Sequence, residues 1–221
     1  MTLHPPLIAA YQGISWQSKV IRWYTRSVYS HVAWVDTNGE TYEAWEGRVR
    51  LAASLFELHT PGTVVDLFEV NGIFADRLRT VRAFHAAQVG KKYDWLGILR
   101  MVSRRPFSTD DQAKWFCSEL VHAAHAAAGL CLQVMPPWKV TPDILCASPL
   151  LDRVGQVVVG RDEGAFVGRY FGRETARPEN AQNGPATASA EKPALSPAKN
   201  PITKMQRDSG EMQWHPALCP T

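Results

Sequence analysis

The fifteen residues from His31 to Trp45, HVAWVDTNGETYEAW, constrain the fold more than any other stretch of the chain. Two runs rich in β-branched and aromatic residues flank Asn38-Gly39, the dipeptide most often found closing a tight antiparallel hairpin. A three-residue loop, Thr37 to Gly39, sets Asp36 opposite Glu40 and His31 opposite Trp45. Glu43 is then the diagonal neighbour of His31 on the same face. A two-residue loop at Asn38-Gly39 shifts the register by one and brings Glu46 to that face instead. Spacing is compatible with both, and both give the histidine a carboxylate neighbour.

Helices and further strands are legible around this hairpin. Trp16, Val20, Ile21, Tyr24 and Val28 recur at helical spacing with Lys19, Arg22 and Arg26 between them, which predicts an amphipathic helix over Trp16 to Val28. Val64 to Val70 reads as a strand. Ala75 to Val89 reads as a helix closed by Gly90, with Asp76 complementing the positive end of its dipole. Asp94 is placed to cap a shorter helix through Val102, which Pro106 prevents from running much further. Leu120, Val121, Ala124 and Ala128 form the buried stripe of another helix, stopped by Gly129.

Composition changes at Glu174. From there to Thr221 the chain has seven prolines, five acidic and five basic residues, and Trp214 as its sole Phe, Tyr or Trp. Such a segment buries too little apolar surface to offset its ordering entropy and is expected to be a disordered Pro/Ala-rich tail, 174–221, behind one globular domain, 7–173. The net charge of +3 over 221 residues, with basic and acidic residues interspersed, gives no case for a nucleic-acid surface. No stretch approaches the roughly 18 apolar residues of a membrane span, and the first residues lack a signal-peptide pattern. A cytoplasmic location is expected. The four cysteines, at 117, 131, 146 and 219, form no CxxC pair and are expected to be reduced thiols.

Cys117 stands in or just before the first turn of the alanine-rich helix. Unpaired backbone N–H groups there favour thiolate over thiol and offer an oxyanion site beside the sulfur, with the amide of Ser118 among them. A thiol nucleophile needs a base. His122 lies about 140° around the helix from Cys117 and His125 about 12 Å along it, so neither reaches the sulfur. Those distances also count against zinc bound by Cys117, His122, His125 and Cys131, and no metal or other cofactor is expected. Both histidines are expected on the exposed or half-buried side of their helix. His31, at the head of the hairpin, is the candidate base.

Four segments in this order, YSHVAWV, TYEAWEG, GKKYDWLG and WFCSELV, resemble the permuted papain-like branch of the NlpC/P60 superfamily, the YiiX/YebB-like amidases. In unpermuted members the cysteine helix precedes the histidine strand; in this chain the histidine hairpin comes first. The resemblance spans roughly Trp16 to Ser148. It implies an α+β fold, a permuted papain-like core with helices packed on an antiparallel, barrel-like sheet. By analogy Cys117 is the nucleophile, His31 the general base, Glu43 the group that orients the imidazole, and Tyr93 a pocket residue or hydrogen-bond donor to an intermediate. The implied activity is cleavage of a peptide or amino-acid amide bond through an acyl-enzyme. The implied partner is a peptide-like or acyl small molecule.

Taken singly, each of these residues has a plainer reading. A buried cysteine is by default packing, a strand histidine is commonly satisfied by a backbone carbonyl, and a strand glutamate or a tyrosine needs no chemistry. A lipid-directed thiol acyltransferase or phospholipase follows the same acyl-enzyme logic, although a membrane lipid is the less favoured partner. A non-catalytic binding module is the third reading. Oligomeric state has no sequence signal.

Overall fold

The computed structural model describes residues 6–45, 47–73, 75–93 and 114–166. The tail expected from Glu174 and the helix expected from Asp94 to Val102 lie outside these residues.

The hairpin forms from β2 (His31–Val35) and β3 (Thr41–Trp45), and its register follows the three-residue loop. Asp36 N–H donates to Glu40 O at 2.8 Å, Trp34 pairs with Tyr42, and Gly39 takes the left-handed conformation (φ 90°) that such a loop requires of its last residue. Around it the described strands build one sheet from β1 (Leu7–Gln12), β4 (Arg48–Ala52), β5 (Val64–Val70), β6 (Lys92–Tyr93), β7 (Lys114–Trp115) and β8 (Leu151–Val158). Their order is β7-β6-β4-β3-β2-β1-β5-β8, antiparallel throughout except for the β6–β7 pair. Among the described residues the end strands β7 and β8 do not pair with one another, so the sheet these strands build is open.

Helices α1 (Trp16–Thr25), α2 (Ala75–Gln88), α3 (Cys117–Ala127) and α4 (Pro142–Cys146) complete an α+β architecture. Ser15 caps α1 by accepting the Ser18 N–H at 3.2 Å, and the helix stops at Arg26, whose φ of 51° ends it three residues short of Val28. None of the helices in the described residues is long and apolar enough to cross a membrane.

Strand alternation divides the core in two. Ile8, Ala10, Val32, Trp34 and Ala44 face α2 and α3 and pack with Cys117, Leu120, Val121 and Ala124. Leu7, Ala9, Tyr11, Ala33 and Val35 face the other way, against Leu55, Phe56, Leu67 and Val157. One expectation needs correction. His122 and His125 are fully buried. The i−4 carbonyl of Val121 accepts from His125 Nδ1 at 2.7 Å and the Met135 carbonyl lies 3.2 Å from His122 Nε2, partners that let imidazole enter the core. On α1 the apolar stripe does not pack inward: Ile21 is buried, but Trp16, Val20, Trp23 and the following Val28 face solvent.

Candidate active site

Register alone brings the first pair together. His31 Nε2 lies 2.7 Å from Glu43 Oε2, and both side chains are about 1% exposed. Glu46 lies outside the described residues. The β3–β4 hairpin places Arg50 directly opposite Glu43, and its Nε and Nη2 donate to Glu43 Oε1 at 2.8 and 2.5 Å. His59, from the loop after β4, adds its Nε2 at 3.1 Å from Glu43 Oε2. A carboxylate only accepts, so both imidazoles carry their proton on Nε2. Tyr11 stacks on His59 with ring centroids 4.1 Å apart and donates its hydroxyl to the Leu55 carbonyl at 2.8 Å; Trp45 closes over His31 with centroids 4.6 Å apart.

The electrostatics follow from burial and these bonds. Burial works to raise the Glu43 pKa, but the hydrogen bonds from His31 and His59 outweigh it and hold the carboxyl well below the ordinary carboxylate range. Burial lowers the pKa of His31, and the bond to Glu43 only partly opposes that, so the imidazole is neutral at rest. With Nε2–H committed to Glu43, His31 Nδ1 carries a lone pair, is buried, and has no hydrogen-bond partner.

Cys117 approaches from the other face of the sheet. Because Asp36 N–H points to β3, the amides of even-numbered β2 residues do so in turn, and Val32 should donate to Ala44. The ladder ends before that at Trp34–Tyr42. The Val32 N–H meets the Cys117 sulfur instead, together with the N–H groups of Ser118 and of Cys117 itself. The sulfur therefore sits one peptide unit from His31. A closed Cys–His–Glu triad is not formed, because His31 Nδ1 accepts nothing, and the group assembled around the carboxylate is His31–Glu43–His59. Nor is the thiol acidified as its helix-start position predicts. Burial pushes it up to about 12, outweighing the three N–H groups that favour the thiolate.

Ser118 is fully buried and its hydroxyl donates to the Val140 carbonyl, so only its amide faces the sulfur. Tyr93 is buried beside Phe116, with ring centroids 6.0 Å apart. Glu119 accepts the Phe116 N–H at 3.2 Å and caps α3. Cys117 and Cys146 are free thiols, whereas Cys131 is disulfide-bonded, against the reduced state expected of it. A cavity of about 20 Å³ adjoins His31, lined by Tyr11, Gly13, Ser30, Trp45 and His59. It has room for about one water molecule, too little for a larger substrate in this conformation.

Arg50, His59 and Tyr11 are absent from the sequence reading. Arg50 had a signal, since a tight turn at Glu46-Gly47 pairs it with Glu43 as opposite charges across a hairpin. His59 had none, because it lies in an irregular loop with no periodicity to place it.

The donor atoms of His31, Glu43 and His59 lie within 4.8 Å of one another. Two imidazoles and a carboxylate are a zinc-type donor set. The 2.7 Å between His31 Nε2 and Glu43 Oε2 is a hydrogen-bond separation, short of the roughly 3.3 Å between two tetrahedral zinc ligands at 2.0 Å.

An open, mostly antiparallel sheet with a cysteine-headed helix on one face and a buried histidine–carboxylate group on the other defines the α+β class to which the chain conforms. Among solved structures, the fold is similar to that of the metalloprotein YiiX from Escherichia coli O157:H7, with 20% sequence identity, 72% of this chain and 99% of that chain covered, and a TM-score of 0.55. At that identity the likeness speaks for the fold alone. No protein-family model and no curated protein matches the chain.

Proposed function

We propose that the chain is a thiol-dependent hydrolase of amide bonds, with Cys117 as nucleophile and His31 as general base. One observation carries this reading: Glu43 fixes the His31 tautomer and leaves Nδ1 bare and buried, while the next residue of the strand, Val32, turns its N–H toward the Cys117 sulfur. His85, His122 and His125 also leave one buried nitrogen without a partner, but their bonded nitrogen meets a backbone carbonyl, whereas that of His31 meets a carboxylate. His31 has one nitrogen oriented and the other free to take a proton, the division of labour in a nucleophile–base–orienter set.

In the proposed reaction the site first opens to bring the Cys117 sulfur, which rests on the opposite face of the sheet, within reach of His31 Nδ1; the S–H proton then passes to that nitrogen, and the imidazolium is stabilised by Glu43. The sulfur attacks the carbonyl carbon, and the amides of Cys117 and Ser118 receive the oxyanion. Collapse expels the amine with the proton from His31, and water, deprotonated by the same nitrogen, hydrolyses the thioester. The thiol at about 12 and the water-sized cavity describe the resting state, so substrate entry must open the site and let the thiolate form as a pair with imidazolium.

The test is the iodoacetamide alkylation rate of Cys117 across pH, followed by mass spectrometry in the native protein and in His31→Ala. A titration that the substitution displaces is the expected result. Equal, slow alkylation in both proteins would sink the proposal.

The donor set favours a second reading, a divalent metal site on His31, Glu43 and His59, and the structurally similar YiiX is a metalloprotein. Both imidazoles would give up their Nε2 protons to bind it, and the ion would supply Lewis-acid chemistry at that point. Stoichiometric metal in the purified protein, lost in His59→Ala, would establish this reading; absence of bound metal after growth in zinc would dismiss it.

A further inference from the structure

Helix α1 turns its apolar stripe outward. Trp16 is 71% exposed, Val20 52% and Trp23 80%, at positions i, i+4 and i+7, and Ile14 and Val28 extend the line at 42% and 50%. Scattered exposed apolar residues are ordinary, but two indoles and a valine in one helical row are a contiguous face. The helix is held from beneath by Ile21 and Ser18, both buried, and by its Ser15 cap, so the outward face contributes little to the fold.

The charge around this face has one sign. Lys19, Arg22 and Arg26 flank the stripe, and the first 35 residues of the chain contain no aspartate or glutamate. Among the described residues no carboxylate forms an ion pair with these three cations; Arg22 reaches only the Gly13 carbonyl, at 3.4 Å. Lys19, Arg22, Trp23 and Ser27 line an open surface recess wide enough for a phosphate-bearing headgroup. Asp143, behind Ser27, is turned to the Ser27 hydroxyl at 3.4 Å.

We infer that α1 is a docking surface for an anionic lipid bilayer. The helix lies in the interfacial plane with Trp16, Val20 and Trp23 in the headgroup–acyl boundary and Lys19, Arg22 and Arg26 against lipid phosphates. Indole suits that depth because its ring is apolar and its N–H polar, and each cation near an anionic surface adds to the attraction. Charge complementarity selects lipid over a second copy of the chain, whose α1 would present the same cations. Ile14, Ser15 and Ser18, at the start of α1, also line the cavity beside His31, so docking sets that cavity at the interface. The surface stands apart from the proposed hydrolase activity and is tested without turnover.

The experiment is co-sedimentation of the full chain with phosphatidylcholine vesicles and with vesicles one-third phosphatidylglycerol, at low and high salt. The expected result is binding to the anionic vesicles alone, weakened by salt, with a blue-shifted tryptophan emission. W16A/W23A and K19E/R26E should each lower the partition coefficient by about tenfold or more, with unchanged circular dichroism and melting. No binding to either vesicle overturns the inference, as does binding that W16A/W23A leaves intact. Self-association abolished by W16A/W23A, without vesicle binding, assigns the face to a second copy. Tryptophans shielded from iodide in the free monomer assign it to the chain's own remaining segments.

Discussion

Replacing Glu43 with glutamine tests the buried network with almost no change in shape. The carboxylate accepts from Arg50 through Oε1 and from both imidazoles through Oε2. A glutamine amide has one acceptor and one donor end. If its oxygen stays with Arg50, its NH2 faces two Nε2–H groups, and both rings must move their protons to Nδ1. For His31 that places an N–H in a buried site with no acceptor, at a cost of about 1–3 kcal/mol. Loss of the charged partner of Arg50 costs about 1.5–3 kcal/mol more. The reversed amide sets its NH2 against the guanidinium at a similar cost. Urea unfolding of E43Q should therefore show a loss of about 4 kcal/mol with an unchanged m-value. Long-range proton–nitrogen NMR should show the His31 proton leaving Nε2. A loss under about 1 kcal/mol, with that proton still on Nε2, would refute the assigned tautomer and the orienting role derived from it.

Three further outcomes are expected. G13A should cost about 3 kcal/mol and lower the melting temperature, because the added Cβ would lie 2.2 Å from Ser18 Oγ and 2.7 Å from both Ser18 Cβ and Ser30 Oγ; an unchanged melt would contradict this. D36N should cost about 1 kcal/mol in urea unfolding, since Asp36 anchors α2 to the hairpin through Arg82 at 2.5 and 2.6 Å, and Arg82 is partly solvated. Buried His85 and His125 fall to about 3 and about 4 from an ordinary 6.5, chiefly through burial. Below pH 6.5 the unfolded chain binds protons that the folded one refuses. Unfolding free energy should therefore drop as pH falls toward 4, with a slope of up to about 2.7 kcal/mol per pH unit, and a flat profile over that range would show the two imidazoles to be solvated.

Local chemistry makes much of this structure legible in the sequence. Asn38-Gly39 and the alternation on either side specify a hairpin, and the Val64–Val70 and Ala75–Gln88 elements stand where periodicity places them. The register needed one more fact, the conformation at Gly39, to choose Glu43. What sequence reasoning could not supply was which face of an element is covered. Helix α1 has the pattern of a buried amphipath, yet its apolar row meets solvent, because periodicity reports a stripe and says nothing of what lies opposite. His122 and His125 failed as surface residues for the converse reason: a backbone carbonyl within reach takes one nitrogen of each ring inside the core. His59 depends on the path of a loop, and the acidity of Cys117 on a desolvation term that spacing does not contain.

The shortened β2–β3 ladder has a further consequence. The amide of Val32 has two rival acceptors, the carbonyl that regular pairing would supply and the sulfur of Cys117, and it can serve only one. Zipping the strands by one more rung would take this N–H away from the sulfur, so sheet completion and the seating of Cys117 compete for one donor. The side chain at position 117 thus acts as a wedge as well as a reagent. A smaller residue there lets the sheet heal, and amide exchange at Val32 would register that repair even if no substrate is ever found.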